Sequence, residues 1–198
     1  MLYKIARKLA WLLAKVIFFF QTENTEIVPK EGGAVICANH RSFWDPVLLA
    51  AAIKRPMAYI GKEELFRNKF FGWLLRQLHC YPVQRGGGDM AVVKTAVTLL
   101  KKGEVLVVFP EGERIRKGKK PHPKPGAFRL AMMAGVPVIP AGIGGSFKVF
   151  RKMRLAIGEK IDTLPYKKQR PHEEEYNQII KDIMQTTYSL AGMEDIYA

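Results

Sequence analysis

The chain predicts an α/β fold: a mixed, mostly parallel sheet covered by helices, preceded by an N-terminal amphipathic helix. Three observations lead there. Short apolar runs of strand length alternate with longer segments that carry apolar residues at helical spacing. Those runs are nearly continuous in apolar residues rather than alternating, as expected of strands buried on both faces. Their carboxyl ends carry clusters of Gly, Pro and charged residues, the place where such sheets bind ligands.

In chain order, residues 1–20 form the first helix. They are apolar apart from Lys4, Arg7, Lys8 and Lys15, and at about 100° per residue these cations fall within roughly one 100° sector. The apolar run 9–20 contains Lys15 and is shorter than the ~20 residues needed to span a bilayer, so a helix lying in the membrane interface is expected. Packing of its apolar face onto the domain is the competing reading. No small-residue cleavage site follows, which argues against a secretory signal. We place this helix at 1–22 and a single domain at 23–198, with a polar break at 21–26.

Strands are then expected at 34–37, 57–61, 80–84, 105–109, 136–142 and 154–157. Pro82 points to an edge or a strand end for the third. Helices are expected at 47–53, 64–78, 89–102, 126–134 and 173–190. Pro46 suits the first helical position after an N-cap Asp45, and Gly103 and Gly135 suit helix stops.

At 198 residues the chain is long enough for one substantial core, and 48% hydrophobic and 25% charged residues are ordinary for a globular protein. The charge balance is not ordinary. Thirty-two Lys and Arg against 18 Asp and Glu leave a formal +14, which favours anionic partners: nucleic acid, anionic lipid or phosphorylated substrates. Cys37 and Cys80 lie in apolar runs without the spacing of a disulfide framework, and a reducing compartment follows. A zinc site from Cys37, His40, His79 and Cys80 is disfavoured, because adjacent residues on a strand point to opposite faces.

Three strand-end loops carry chemistry. The first, Asn39-His40-Arg41-Ser42-Phe43-Trp44-Asp45-Pro46, joins a strand to a helix. A turn between His40 and Asp45 would let the carboxylate accept one ring N–H, fixing the tautomer and leaving the other nitrogen as a general base. A plain helix cap at Asp45 explains the same spacing. The second, Gln84-Arg85-Gly86-Gly87-Gly88, lets a backbone approach a ligand, with Arg85 forking onto a phosphate, but it lacks the Lys-Ser/Thr of a nucleotide loop. The third is Phe109-Pro110-Glu111-Gly112-Glu113-Arg114, followed by a basic run from Arg116 to Lys124 that reads either as a solvated face or as a funnel for anions. Gly144-Gly145-Ser146 lacks the last glycine of a nucleophile elbow.

Residues 39–46 resemble the NHxSxxDP block of the glycerolipid acyltransferases that acylate lysophosphatidate. Residues 109–115 resemble that family's FPEGTRS block, with Glu113 and Ile115 where Thr and Ser are usual. Arg85 follows Tyr81-Pro82-Val83-Gln84 as the basic residue of a second block does, and Val136-Pro137-Val138-Ile139-Pro140 resembles a fourth. The blocks keep the family's order across about half the chain.

The resemblance implies acyl transfer from acyl-CoA or acyl-carrier protein to the hydroxyl of lysophosphatidate, with His40 and Asp45 catalytic. It also implies that Arg85, Glu111, Gly112, Arg114 and Lys124 surround the acceptor, with no metal or other cofactor. The expected setting is the cytoplasmic face of the membrane, held peripherally or monotopically on an anionic surface. Glycerol-3-phosphate or another lysolipid remains an alternative acceptor. From the charge alone, a basic nucleic-acid-binding module is the competing class; the chain shows no helix-turn-helix, zinc-finger or RNP aromatic pattern, and no nucleic acid is expected.

Overall fold

A computed structural model describes residues 2–83, 88–115, 122–169 and 171–193. The central strand is β2, Ala34–Ala38, buried along its whole length. Its side chains alternate between two cores, as a strand in the middle of a covered sheet must. Ala34, Ile36 and Ala38 face one, while Val35 and Cys37 face the other.

Around it lie β1 (Gln21–Glu23), β3 (Met57–Lys62), β4 (Cys80–Val83), β5 (Val105–Val108), β6 (Val138–Gly145) and β7 (Met153–Ile157), in the order β1-β7-β6-β2-β5-β3-β4. Every neighbouring pair is parallel except β6 with β7. The sheet is thus mixed and mostly parallel, as expected. Pro82 lies on the edge strand β4, where a missing donor costs no ladder bond.

Two helices, α1 (Leu2–Phe18) and α2 (Asp45–Ala52), cover one face. There Phe18, Phe20, Leu48 and Leu49 pack on Ile36, Val107 and Ile139. On the other face, α4 (Gly88–Lys101), α5 (Gly126–Ala134) and α7 (Glu173–Leu190) set Leu100, Phe128, Ile180 and Tyr188 against Val35 and Leu106. Two further helices, α3 (Lys69–Gln77) and α6 (Leu164–Gln169), are smaller.

Three local expectations are corrected. The polar stretch at 21–26 contains β1, because Gln21–Glu23 borrows a ladder from β7 that its own composition does not announce. The helix expected at 64–78 breaks into a 3₁₀ turn, Glu63–Phe66, and α3. Asn68 caps α3 by accepting the Phe71 N–H at 3.0 Å, which restarts the helix. Helix α2 starts at Asp45, with Trp44 at its N-cap and no side-chain cap. The Asp45 carboxylate is therefore released for other partners.

Helix α1 presents three faces. Tyr3, Ala14 and Phe18 are buried against the domain, Lys4, Lys8 and Lys15 are exposed on a flank, and Ile5, Leu9, Leu12, Leu13 and Val16 point away from the domain. Ile5, Leu9, Leu12 and Val16 are each more than half exposed. Core packing and an outward apolar strip therefore coexist on different faces. At 17 residues the helix is about 25 Å long, and no helix among the described residues is long and apolar enough to cross a membrane.

Candidate active site

Parallel pairing of β2 with β5, with Cys37 opposite Val108, brings the loops that follow both strands side by side at one sheet edge. The consequences are direct. The His40 ring stacks on Phe109 at 4.2 Å between centroids, and the Ile115 N–H donates to the His40 carbonyl at 2.7 Å. Upstream, the buried Asn39 extends the β2–β6 ladder with its side chain. Its amide donates to the Ile143 carbonyl at 3.0 Å and accepts the Ile143 N–H at 2.7 Å.

His40 Nδ1 lies 2.9 Å from Asp45 Oδ2. The same oxygen accepts the backbone N–H groups of Arg41 and Ser42, both at 2.6 Å. The tight turn thus folds a carboxylate five residues downstream back onto the imidazole. Asp45 is completely buried, whereas His40 keeps 20% of its side chain exposed. A fully buried carboxylate is costly unless donors surround it; Oδ2 has the loop amides, while Oδ1 has no hydrogen-bond partner among the described residues. With Nδ1 facing Asp45, the ring carries its proton there and Nε2 is left as the acceptor. Nε2 has no hydrogen-bond partner among the described residues. Ser42 Oγ is occupied within the turn, accepting the Trp44 N–H at 3.2 Å.

Beneath this turn sits Glu111. It is buried, and its Oε1 accepts the His40 N–H at 3.3 Å and the Tyr188 hydroxyl at 2.8 Å. Burial raises its pKa above the ordinary glutamate range, partly offset by the Tyr188 hydroxyl and the backbone donors. Tyr188 arrives from α7 because that helix lies directly on β6. A Cβ at Gly142 or Gly144 would fall 2.5 or 2.2 Å from the Ala191 backbone, so only glycine allows the approach. Glu111 therefore braces the His40 backbone from inside the protein.

The described loop surface exposes Arg114 and Lys124, with Glu113 exposed beside Arg114. Gly112 turns the chain at φ 71°, with its N–H donating to the Phe109 carbonyl at 3.0 Å. Arg114 is exposed and lies 3.8 Å over the ring of Phe43, a side chain 76% exposed. Lys124 is joined to this loop by its N–H, which donates to the Pro110 carbonyl at 2.8 Å. Arg41, half-buried, reaches the Ile143 carbonyl and the Phe147 ring, and burial lowers its pKa. Thus His40, Asp45, Glu111, Gly112 and Arg114 come together, and Lys124 is tied to the same loop through its backbone. Arg85 and the residues 116–121 of the basic run lie outside the described residues. Asn39, Tyr188, Phe43 and Phe109 are contributors that sequence reasoning did not assign; Asn39, Phe43 and Phe109 stood inside stretches already singled out, and Tyr188 did not. Cys37 and Cys80 are free thiols raised by burial, Cys80 to about 11.

A test of the brace follows. Glu111→Gln retains an oxygen for both donors and is expected to fold normally. Glu111→Ala removes the acceptor of the His40 N–H and of the Tyr188 O–H, and is expected to cost at least about 1–3 kcal/mol in a denaturant titration. The pH dependence has a definite sign. A folded-state pKa raised above the unfolded one gives stability that is fully present below the ordinary glutamate range and is lost as pH rises through the raised value. The Gln variant should therefore gain on the wild type as pH rises through that window.

A family model for acyltransferases matches residues 19–144, which include both loops and β6 up to Gly144. The 1-acyl-sn-glycerol-3-phosphate acyltransferase of Bacillus subtilis is 35% identical over 144 residues, covering 70% of this chain and 71% of that protein. That of Streptococcus pneumoniae is 34% identical over 62% of this chain, but the match spans about half of its own length, 46%. The crystal structure of the 1-acyl-sn-glycerophosphate acyltransferase from Thermotoga maritima superposes with a TM-score of 0.72 at 28% identity. The superposition covers 99% of this chain and 78% of that one. With the strand-end loops in place and the match running through them, the chain belongs to the acyltransferase family.

Proposed function

We propose that this acyltransferase moves an acyl group from a thioester donor, acyl-CoA or acyl-carrier protein, to the free hydroxyl of 1-acylglycerol-3-phosphate, giving phosphatidate for phospholipid synthesis. The observation that carries the reading is the His40–Asp45 pair with Nε2 free at the edge of the sheet, in a chain whose relatives are named for that acceptor. His40 Nε2 takes the hydroxyl proton while Asp45 stabilises the resulting imidazolium. The acceptor oxygen attacks the thioester carbonyl, the tetrahedral species collapses, and the departing thiolate takes the proton back from His40. Neither metal nor redox cofactor enters these steps.

Arg114 and Arg85 are assigned to the acceptor phosphate, with Lys124 adding positive charge and Gly112 turning the loop. The outward strip of α1 supports a peripheral or monotopic position at the cytoplasmic face, where lysolipid and product reside. The test is an acyl-transfer assay with both donors against lysophosphatidate, glycerol-3-phosphate and zwitterionic lysolipids. Lysophosphatidate is expected to give the highest kcat/KM; preference for glycerol-3-phosphate would assign a different acceptor within the family.

A further inference from the structure

We propose that the groove between α1, the 3₁₀ turn Thr25–Ile27 and the C-terminal end of α2 is a second anion site, built for the phosphate of a phospholipid headgroup. It is lined by Arg7, Lys8, Trp11, Thr22, Thr25 and Lys54, with Ala51 and Ala52 at its wall. Three cations and two hydroxyls thus converge on one space, and no carboxylate lines it among the described residues. None of the three cations has an ion-pair partner among the described residues. The nearby Glu23 is paired elsewhere, with Arg154 at 3.7 Å.

Arg7 is only half exposed, and it donates to the Ala51 carbonyl at 3.4 Å. That contact offsets the negative end of α2, which would otherwise repel an anion. A volume of about 420 Å³ admits a phosphate with its glycerol.

Position selects a lipid. The groove sits beside α1, on the flank away from Ile5, Leu9, Leu12 and Val16. With that strip in the acyl layer, the groove is level with headgroups rather than tails. It is also distinct from the acyl-transfer site: Asp45 opens α2 and Ala52 closes it, about 11 Å apart at 1.5 Å per residue.

The test uses the full chain in zwitterionic micelles and follows the three tryptophan indole N–H resonances. Trp11 reports the groove and Trp44 the acyl-transfer loop, so failure at one site is distinguishable from failure at the other. Titration with dihexanoyl phosphatidate should shift Trp11 saturably, and dihexanoyl phosphatidylcholine should not. In the Lys8→Gln, Lys54→Gln double variant, saturation should need about tenfold more ligand or beyond, with the rest of the amide spectrum unchanged. Both side chains are exposed, so folding is not at stake. An inorganic phosphate arm separates the sources: a shift with phosphatidate alone assigns the headgroup, and an equal shift with both assigns free phosphate to the same site. An unmoved Trp11, an equal response to phosphatidylcholine, or an unaltered response in the double variant would overturn the proposal.

Discussion

His40→Ala is expected to lower kcat by at least ~10²–10⁴-fold, the usual contribution of a positioned general base, and by more where the acceptor loses its attack geometry. The protein should stay folded. The ring lies at the surface of the turn, and what it gives up is a stack on Phe109 and one bond to Asp45. Circular dichroism and a denaturant midpoint near wild type would verify this. Asp45→Asn separates the carboxylate's two jobs. The amide oxygen can still accept the Arg41 and Ser42 N–H groups, yet it supplies no charge to an imidazolium and can leave the wrong tautomer in place. A rate loss approaching that of His40→Ala is expected. A small loss would mean that Asp45 serves only the turn.

Changing Leu9, Leu12, Leu13 and Val16 together to Ser is expected to weaken binding to anionic vesicles by ~10²-fold or more, measured by vesicle sedimentation. These side chains point away from the domain, so the change removes exposed apolar surface and leaves the core intact. Each withdraws roughly 1 kcal/mol or more of apolar transfer at ~25 cal/mol per Å². Changing Lys4, Lys8 and Lys15 to Gln should cost about 1 kcal/mol each at low salt and less at high salt. Deleting the whole helix is a poor substitute, because Ala14 and Phe18 belong to the core and losing them costs several kcal/mol of fold stability. Undiminished sedimentation of the serine variant would show that the strip does not meet lipid.

How much of this was legible follows from the range of the forces involved. Strands β2 and β5 were readable because burial on both faces demands continuous apolar runs, and α5 because its period and its Gly135 stop agree. Gln21–Glu23 was not, since its strand conformation comes from β7 rather than from its own residues. The break before α3 depended on one Asn side chain accepting one N–H. The His40–Asp45 pairing was readable as a turn, but the helix start was placed one residue late, because Asp45 satisfies loop amides upstream rather than helix amides downstream. The Glu111–Tyr188 contact joins positions far apart in the chain, through a helix seated on glycines, and no local pattern encodes it. The +14 charge narrowed the partners to anions without choosing among them.

In the mechanism we propose, His40 activates the acceptor for direct attack on the thioester. The most direct measurement incubates the protein with labelled acyl thioester, with and without lysophosphatidate, and follows label in lipid and on protein. Direct transfer predicts label in phosphatidate only when the acceptor is present, no stable label on the chain without it, and intersecting initial-rate lines when both substrates are varied. A protein-bound acyl group at Ser42, Cys37 or Ser146 that passes to lysophosphatidate on its addition, with parallel rate lines, would contradict it.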